Sequence, residues 1–208
     1  MKNKFPVKKY QNIDFFIKDY VKNANQALVN LNKHSLKKIS EHLLKSYQNN
    51  KTVYVCGNGG SAALSNHFAC DHEHLFFKYK KIKPNIVSLC SNSALMTAIS
   101  NDYKYENVFL NQIKKKINKK DTIIAISSSG NSKNVINAIK FAKEIKATTI
   151  SFTGFNGGIL KKITDFNINC YAQNFGIVEA THHSIINILA QFIRQKFSSK
   201  YKIKSIFF

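Results

Sequence analysis

The sequence lacks the features of several common protein classes. No apolar run approaches the roughly 20 residues of a membrane span, and the lysine-containing start of the chain has no apolar signal segment. The four cysteines form no C-x-x-C pair, which argues against a zinc ribbon or a thioredoxin-like motif and favours reduced, mostly buried thiols. These absences predict a cytoplasmic protein that does not contact a membrane.

Acidic residues and arginine are also scarce. The chain has 32 basic and 11 acidic residues, a formal net charge of +21, and a single arginine, Arg194. Such a charge is typical of nucleic-acid binding, but arginine does much of the reading of base edges and phosphates. The richness in asparagine and isoleucine is also the bias that AT-rich coding produces. A nucleic-acid partner is therefore not expected, while the positive field would concentrate an anionic metabolite.

The hydrophobic pattern predicts one α/β domain. At 208 residues and 44% hydrophobic content, the chain is long enough to bury a substantial core. Residues 1–50 have helical periodicity, with Ser35 as the expected cap of the second helix. Five β-branched segments follow, TVYVCG, PNIVSLC, DTIIAIS, TTISFTG and DFNINCY, and they alternate with helical runs before a long terminal amphipathic helix. Such alternation predicts a parallel sheet covered on both faces.

Two loops at the ends of predicted strands have the composition of an anion site. One runs from Gly57 to Ser61 as GNGGS, and the other from Ser127 to Ser132 as SSSGNS. Neither is a Walker loop or a G-x-G-x-x-G dinucleotide motif. Open parallel sheets bind ligands beyond the carboxyl ends of their strands, and hydroxyls with helix N-terminal amides can hold a phosphate without arginine. Plain turn and N-cap chemistry is the alternative, but two such loops favour a phosphorylated ligand.

Two histidines follow the helix that the first loop opens. His72 and His74 lie in the segment DHEHLFFKYKKIKP. Their alternate spacing suits a loop or an irregular helix end, which predicts a solvated segment near the mouth of a pocket.

The motifs CGNGGSA, NHFACD, AISND, ISSSGNSKNVINAI and TISFTGFNGG resemble the sugar isomerase (SIS) domain. Their order and spacing are similar to those of its sedoheptulose-7-phosphate isomerase branch, the phosphoheptose isomerases. The resemblance implies a flavodoxin-like three-layer sandwich with a central five-stranded parallel sheet. It divides the chain into an N-terminal helical arm at 1–50, a SIS domain at 51–197 and a basic C-terminal tail at 198–208.

The resemblance also implies a reaction and an assembly. The reaction converts sedoheptulose 7-phosphate to D-glycero-D-manno-heptose 7-phosphate for bacterial lipopolysaccharide or capsule, in a homotetramer with active sites at subunit interfaces. By position in the motifs, the residues implied to bind substrate are Asn58, Gly59, Gly60, Ser61, Asn101, Asp102, Ser127, Ser128, Ser129 and Ser132, the last four at the phosphate.

The chain departs from the family at the catalytic centre, where the expected His, Glu, Gln and His become His67, Asp71, Glu179 and Asn187. Ketose–aldose conversion needs a base beside the carbonyl and a group that returns the proton. Asp is one methylene shorter than Glu, and a displacement of about 1 Å can cost about 100-fold in rate. Asn187 cannot exchange a proton at neutral pH. We expect Asp71 as the base and either Glu179 or His183 as the acid.

A divalent metal is the one cofactor that the resemblance suggests, since some members bind zinc with this set. His67 and Asp71 are one helical turn apart and can share an ion, with Glu179 as a third ligand and Asn187 or His183 completing it. The more common role of a His/Asp pair at this spacing is a hydrogen bond.

Two other functions stay open. The departures at Asp71, Glu179 and Asn187, with the basic charge, favour a non-catalytic SIS-domain protein: a sugar-phosphate sensor or a DNA-replication-associated adaptor. The third reading is an isomerase of another sugar phosphate, because the loops that set substrate length and stereochemistry are not readable from sequence.

Overall fold

The computed structural model describes residues 4–74 and 82–197. In that part of the chain, five parallel strands form one sheet in the order β2-β1-β3-β4-β5. The strands are β1 (Thr52–Gly57), β2 (Asn85–Ser88), β3 (Thr122–Ser127), β4 (Thr148–Gly154) and β5 (Phe166–Cys170). This is the order of flavodoxin-like folds, so the predicted α/β three-layer architecture is confirmed.

Helices cover both faces of the sheet. They are α1 (Ile13–Val29), α2 (Lys33–Gln48), α3 (Gly60–His74), α4 (Ser93–Tyr103), α5 (Val108–Ile113), α6 (Lys133–Glu144), α7 (Leu160–Ile163) and α8 (Phe175–Gln195), with a 3₁₀ turn at Tyr105–Asn107. Side chains of α2, α3 and α8 pack in one core, and those of α4 to α7 in a second core on the other face.

The strand sequences explain why the sheet is buried on both sides. Val53 and Val55 of β1 enter one core, while Tyr54 and Cys56 enter the other. Successive strand side chains point to opposite faces, so a strand between two helical layers buries side chains on both of its faces. The apolar residues of the runs quoted above supply most of this buried surface.

The N-terminal helices pack onto the rest of the molecule. Ile39 and Leu43 of α2 are fully buried in the core formed with α3 and α8, and α1 packs against α8. The predicted cap of α2 at Ser35 is wrong: α2 begins at Lys33, and the side chain of Asn32 accepts a hydrogen bond from the backbone N–H of Ser35 at 2.9 Å. The predicted tail at 198–208 lies outside the described residues.

The solvated position predicted for His72 is also wrong. Helix α3 continues to His74, and this places His72 on its buried face. The ring of His72 stacks on Phe68 at 3.9 Å, and its Nδ1 is 2.7 Å from the hydroxyl of Tyr47. Burial lowers the pKa of His72 to about 3, so it is neutral near pH 7. His74 is exposed as predicted, and residues 75–81 lie outside the described residues.

Two further observations concern the environment of the protein. Every cysteine in the chain lies in its described part, and all four are free thiols. Among the described helices, none has the length and apolar content that crossing a bilayer requires.

Candidate active site

The two glycine- and serine-rich loops lie side by side at one edge of the sheet. Strands β1 and β3 pair directly, with Gly57 opposite Ile126, so their carboxyl ends and the loops that follow are neighbours. Between them is a cavity of about 140 Å³. Its lining residues are Asn58, Ser61, Ile126, Ser127, Ser128, Ser129, Ser132, Phe175 and Glu179. One water occupies about 30 Å³ of liquid, so the cavity has room for a group of several atoms.

One hydroxyl of the serine loop, on a residue that lines this cavity, has no hydrogen-bond partner in the described part of the chain. Ser128 is 7% exposed, and its Oγ has no hydrogen-bond partner among the described residues. The Oγ of Ser127 accepts from the N–H of Gly130 and lies 3.5 Å from the Oγ of Ser132. An unsatisfied buried hydroxyl costs about 1–3 kcal/mol. A ligand oxygen in the cavity would remove that cost.

Gly130 fixes the shape of the serine loop. Its φ of +65° is a conformation that glycine adopts without strain, and a Cβ there would lie 2.1 Å from the carbonyl oxygen of Gly157. The carbonyl of Gly130 also accepts from the N–H of Leu160 at 3.0 Å. The loop is therefore packed tightly on the β4–α7 connection and is held in place before any ligand arrives.

Glu179 of α8 enters the same cavity from the opposite side. A Cβ on Gly60 would lie 2.9 Å from both carboxylate oxygens of Glu179, so the absence of a side chain at Gly60 makes room for this carboxylate. Gly60 is the first residue of α3, and the amino end of a helix favours negative charge. The acid that the sequence placed in the catalytic centre therefore lies beside the loops.

The remaining sugar-contact candidates have different positions. The side chain of Asn58 lines the cavity but is hydrogen-bonded to Asn134 of α6 and to the hydroxyl of Tyr105. Asn101 and Asp102 are exposed near the end of α4, where the amide of Asn101 donates to Asp102 at 2.9 Å, and neither lines the cavity. Sequence reasoning gave no role to Asn134, although it lies in the motif ISSSGNSKNVINAI, or to Tyr105, which lies in no motif, because their contacts with Asn58 form only through folding.

A second polar cluster lies further along α3 and α8. The Nε2 of His67 is 3.1 Å from Oδ2 of Asp71, 2.9 Å from Nε2 of His183 and 3.4 Å from Oδ1 of Asn187. The two imidazole rings meet edge to face, with centroids 4.4 Å apart. The side chain of Asp71 is 25% exposed and that of His67 35%. His183 and Asn187 of α8 therefore face α3 and meet the His67–Asp71 pair on that helix.

The contacts of this cluster assign its hydrogen atoms. An ionised carboxylate only accepts hydrogen bonds, so the contact with Asp71 requires the hydrogen on Nε2 of His67. The Nε2 of His183 then faces His67 with its lone pair. The hydrogen on Nε2 of His67 thus has three acceptor atoms around it: Oδ2 of Asp71, Nε2 of His183 and Oδ1 of Asn187.

The predicted metal set is not brought together. His67 and Asp71 meet, but the carboxylate of Glu179 lies at Gly60, seven residues before His67 on α3. No group of three or more histidine, cysteine or acidic side chains in residues 4–74 and 82–197 is arranged to hold a metal ion. The contact between His67 and Asp71 is a hydrogen bond, and we derive no chemical step from a metal.

His182 lies on a different face of α8 from His183. It is fully buried, and its Nε2 is 3.1 Å from the carbonyl oxygen of Thr153 in β4. Burial lowers its pKa to about 4. Adjacent helical residues point about 100° apart, so one histidine contacts the sheet while the next contacts the candidate site.

Comparison with known proteins gives the family. The SIS domain model matches residues 18–154. A probable phosphoheptose isomerase of Thermoplasma acidophilum is 37% identical over 180 residues, which are 86% of this chain and 98% of that protein. The phosphoheptose isomerase of Helicobacter pylori is 37% identical over 78% of this chain and 85% of its own.

Solved structures agree with the sequence relatives. A phosphoheptose isomerase from Francisella tularensis superposes with a TM-score of 0.82 at 25% identity, covering 89% of this chain and all of that one. The phosphoheptose isomerase of Neisseria gonorrhoeae gives a TM-score of 0.79 at 27% identity, over 88% and 97% of the two chains. The chain therefore belongs to the SIS domain family, and within it to the phosphoheptose isomerases.

Proposed function

We propose that the protein is an aldose–ketose isomerase that converts sedoheptulose 7-phosphate to D-glycero-D-manno-heptose 7-phosphate. The observation that carries the proposal is the cavity that the serine loop and Glu179 line together, in which Ser128 has a buried hydroxyl without a hydrogen-bond partner among the described residues. The cavity supplies a phosphate site without arginine, and the acidic and histidine side chains of α3 and α8 supply the proton chemistry.

The phosphoryl group binds in the serine cavity. Hydroxyls of Ser127, Ser128, Ser129 and Ser132 surround it, and the loop precedes α6, whose free N-terminal amides favour an anion. Hydrogen bonds to a charged oxygen contribute about 1.5–3 kcal/mol each. A few of them suffice to hold a phosphate ester at metabolite concentrations.

The sugar lies along the groove between α3 and α8. The cavity is at Gly60, and His67 is seven residues further along α3, about 10 Å at 1.5 Å per residue. Side chains on a helix lean toward its amino end, which brings the His67 and Asp71 side chains back toward the cavity. An extended seven-carbon sugar phosphate bound at the serines points its carbonyl end toward this cluster.

The chemistry is proton transfer through an enediol. Asp71, oriented by the N–H of His67, removes a proton from C1 of the ketose while the carbonyl oxygen at C2 gains one. The enediol then loses the proton on its C1 hydroxyl and accepts one at C2, which gives the aldose. Glu179 or His183 supplies the exchanging proton: Glu179 is closer to the phosphate end, and His183 shares the cluster with Asp71.

An assembly of several copies goes with this proposal. One face of α1 exposes Ile13, Ile17 and Val21, which are 66%, 51% and 57% exposed and recur every four residues. Apolar stripes of this kind are typical of interfaces, and a homotetramer with its active sites at subunit contacts would bury this one. Light scattering of the wild type and of Ile17→Asp tests the assembly: loss of a tetramer on substitution is expected, and a wild-type monomer contradicts it.

The cytoplasm is the proposed location, which suits four free thiols.

The reaction is tested by incubating the protein with sedoheptulose 7-phosphate and following the sugar by ¹H and ³¹P NMR. Conversion to the aldose is expected, and sedoheptulose without its phosphate is the matched control that should stay unchanged. Binding without conversion would favour the sugar-phosphate sensor instead. No conversion of any five- to seven-carbon ketose phosphate would overturn the isomerase proposal.

A further inference from the structure

A network of four hydrogen bonds links Asn58 of the β1–α3 loop to Asn134 of α6 and to Tyr105, a residue that no motif includes. The backbone N–H of Val135 donates to Oδ1 of Asn134 at 3.0 Å. Asn134 and Asn58 then exchange two amide hydrogen bonds of 2.9 and 2.8 Å. The hydroxyl of Tyr105, from the 3₁₀ turn, donates to Oδ1 of Asn58 at 2.7 Å.

This network sets the orientation of the Asn58 amide. The N–H of Val135 can only donate, so the atom of Asn134 that faces it must be the oxygen. That oxygen can accept from Asn58 only if the nitrogen of Asn58 faces it. The oxygen of Asn58 is then turned toward Asn134 Nδ2 and Tyr105. A backbone N–H at the start of α6 thereby decides which way an amide in the β1–α3 loop points.

The same network leaves one donor for a ligand. Both lone pairs of Oδ1 of Asn58 are used, by Asn134 and Tyr105, and one hydrogen of Nδ2 is used by Asn134. The second hydrogen of Nδ2 has no acceptor among the hydrogen bonds of the described residues, and Asn58 lines the cavity. Asn58 can therefore meet a substrate only as a donor, to a hydroxyl or carbonyl oxygen.

We propose that Tyr105 is a positioning residue for the sugar: its hydroxyl locks the amide of Asn58 so that the remaining N–H of Asn58 donates to a sugar oxygen. The inference rests on the proposed function for the identity of the sugar. Asn134 is buried, and its second anchor at Val135 keeps it in place. Tyr105 is half exposed and lies outside the serine loop, so it holds Asn58 from the solvent side.

The test compares Tyr105→Phe with Tyr103→Phe. The control variant removes the hydroxyl of Tyr103, two residues away, whose side chain does not contact Asn58 in the described structure. Calorimetry measures the dissociation constants of sedoheptulose 7-phosphate and of inorganic phosphate for both variants and the wild type. We expect Tyr105→Phe to weaken sugar-phosphate binding about 5- to 10-fold, which corresponds to one hydrogen bond of about 1–1.4 kcal/mol. Phosphate binding should stay within twofold, because the serine loop does not depend on Tyr105.

Turnover adds a second readout. KM should rise while kcat stays within twofold, because the contact is made equally in ground and transition states. Unchanged sugar-phosphate binding in Tyr105→Phe, or an equal loss of phosphate and sugar-phosphate binding, would overturn the inference. If the wild type binds the sugar phosphate without converting it, the proposed reaction fails while the binding ratio still decides the role of Tyr105. If the wild type does not bind it at all, both fail.

Discussion

The serine cavity and the histidine cluster are built in different ways. The cavity sits at strand ends, and its shape comes from backbone turns such as the one at Gly130, with φ of +65°. The cluster is made by side chains of two long helices, and its central contact joins His67 to a residue 116 positions away, His183. The first region depends on strand order, and the second on how α3 and α8 pack. The cavity should therefore govern binding, and the cluster turnover.

We expect Asp71→Asn to separate turnover from binding most clearly. Losing the base should lower kcat at least about 1,000-fold, as removal of a proton acceptor does, while sedoheptulose 7-phosphate binds within about threefold of wild type because the cavity is intact. NMR measures turnover and calorimetry measures binding. Asp71→Glu is the matched control, since it keeps the carboxylate and should retain far more activity than Asp71→Asn. A comparable loss of binding in Asp71→Asn would break the division into two regions.

Acid should destabilise the helices of the cluster. His72 of α3 and His182 of α8 have pKa values lowered by burial to about 3 and about 4. The unfolded chain therefore takes up protons near pH 6.5 that the folded chain does not. The stability is fully present above about pH 6.5 and falls as the pH drops, by up to about 1.4 kcal/mol per pH unit for each histidine, or about 4 kcal/mol by pH 5.

Denaturant unfolding between pH 5 and 8 measures this dependence. His72→Gln should lower the slope of unfolding free energy against pH by about half. His34→Gln, which changes an exposed histidine, should leave that slope unchanged. A slope that His72→Gln and His182→Gln do not alter would show that other groups control the acid response.

Ser128→Ala should mainly weaken ligand binding, whereas Asp71→Asn should mainly lower turnover. Removing the hydroxyl should weaken binding of inorganic phosphate and of the sugar phosphate about 10- to 100-fold, the value of a hydrogen bond to a charged oxygen. Without ligand its melting temperature should equal or exceed that of the wild type, since an unpartnered polar atom is removed. Calorimetry and thermal unfolding provide the two readouts. A destabilised variant with normal phosphate affinity would contradict the role of this serine.

Glu179→Gln probes the carboxylate that lines the cavity. A phosphate dianion and this side chain are like charges in the same space, so the substitution should tighten inorganic phosphate binding about threefold to tenfold. The value of kcat should fall if Glu179 supplies the proton, and His183→Gln should lower it if His183 does. Glu106→Gln, an exposed carboxylate outside the cavity, is the control. Unchanged phosphate affinity in Glu179→Gln would place the carboxylate elsewhere when ligand is bound.

The regular part of the fold could be predicted because its signals are local. The run TVYVCG coincides with β1 at Thr52–Gly57, and the serine loop follows β3 as expected. The error at His72 arose because a tertiary contact decides: Tyr47 of α2 packs against it. The error at Ser35 was local, because Asn32 is an equally good cap residue three positions earlier and its side chain accepts from the N–H of Ser35.

The candidate site could be predicted only in part, for the same reason. Spacing along one helix placed His67 with Asp71, and Glu179 on the face shared with His183. The spacing could not show that these two side chains of α8 have different neighbours on α3. Glu179 lies at Gly60, whereas His183 lies at His67. Tyr105 had no signal, since its contact with Asn58 spans 47 residues and belongs to no motif.

In the proposed mechanism, a phosphate held by the serine cavity presents a sugar to a proton-transferring carboxylate, and exchange with solvent deuterium is the decisive check of this arrangement. The protein is incubated with sedoheptulose 7-phosphate in D₂O, and the deuterium in the aldose product is located by NMR. We expect deuterium at C2, because the proton taken from C1 exchanges with solvent before its return, and we expect no product with Asp71→Asn. An aldose formed without any solvent deuterium, or formed at an undiminished rate by Asp71→Asn, would contradict this mechanism.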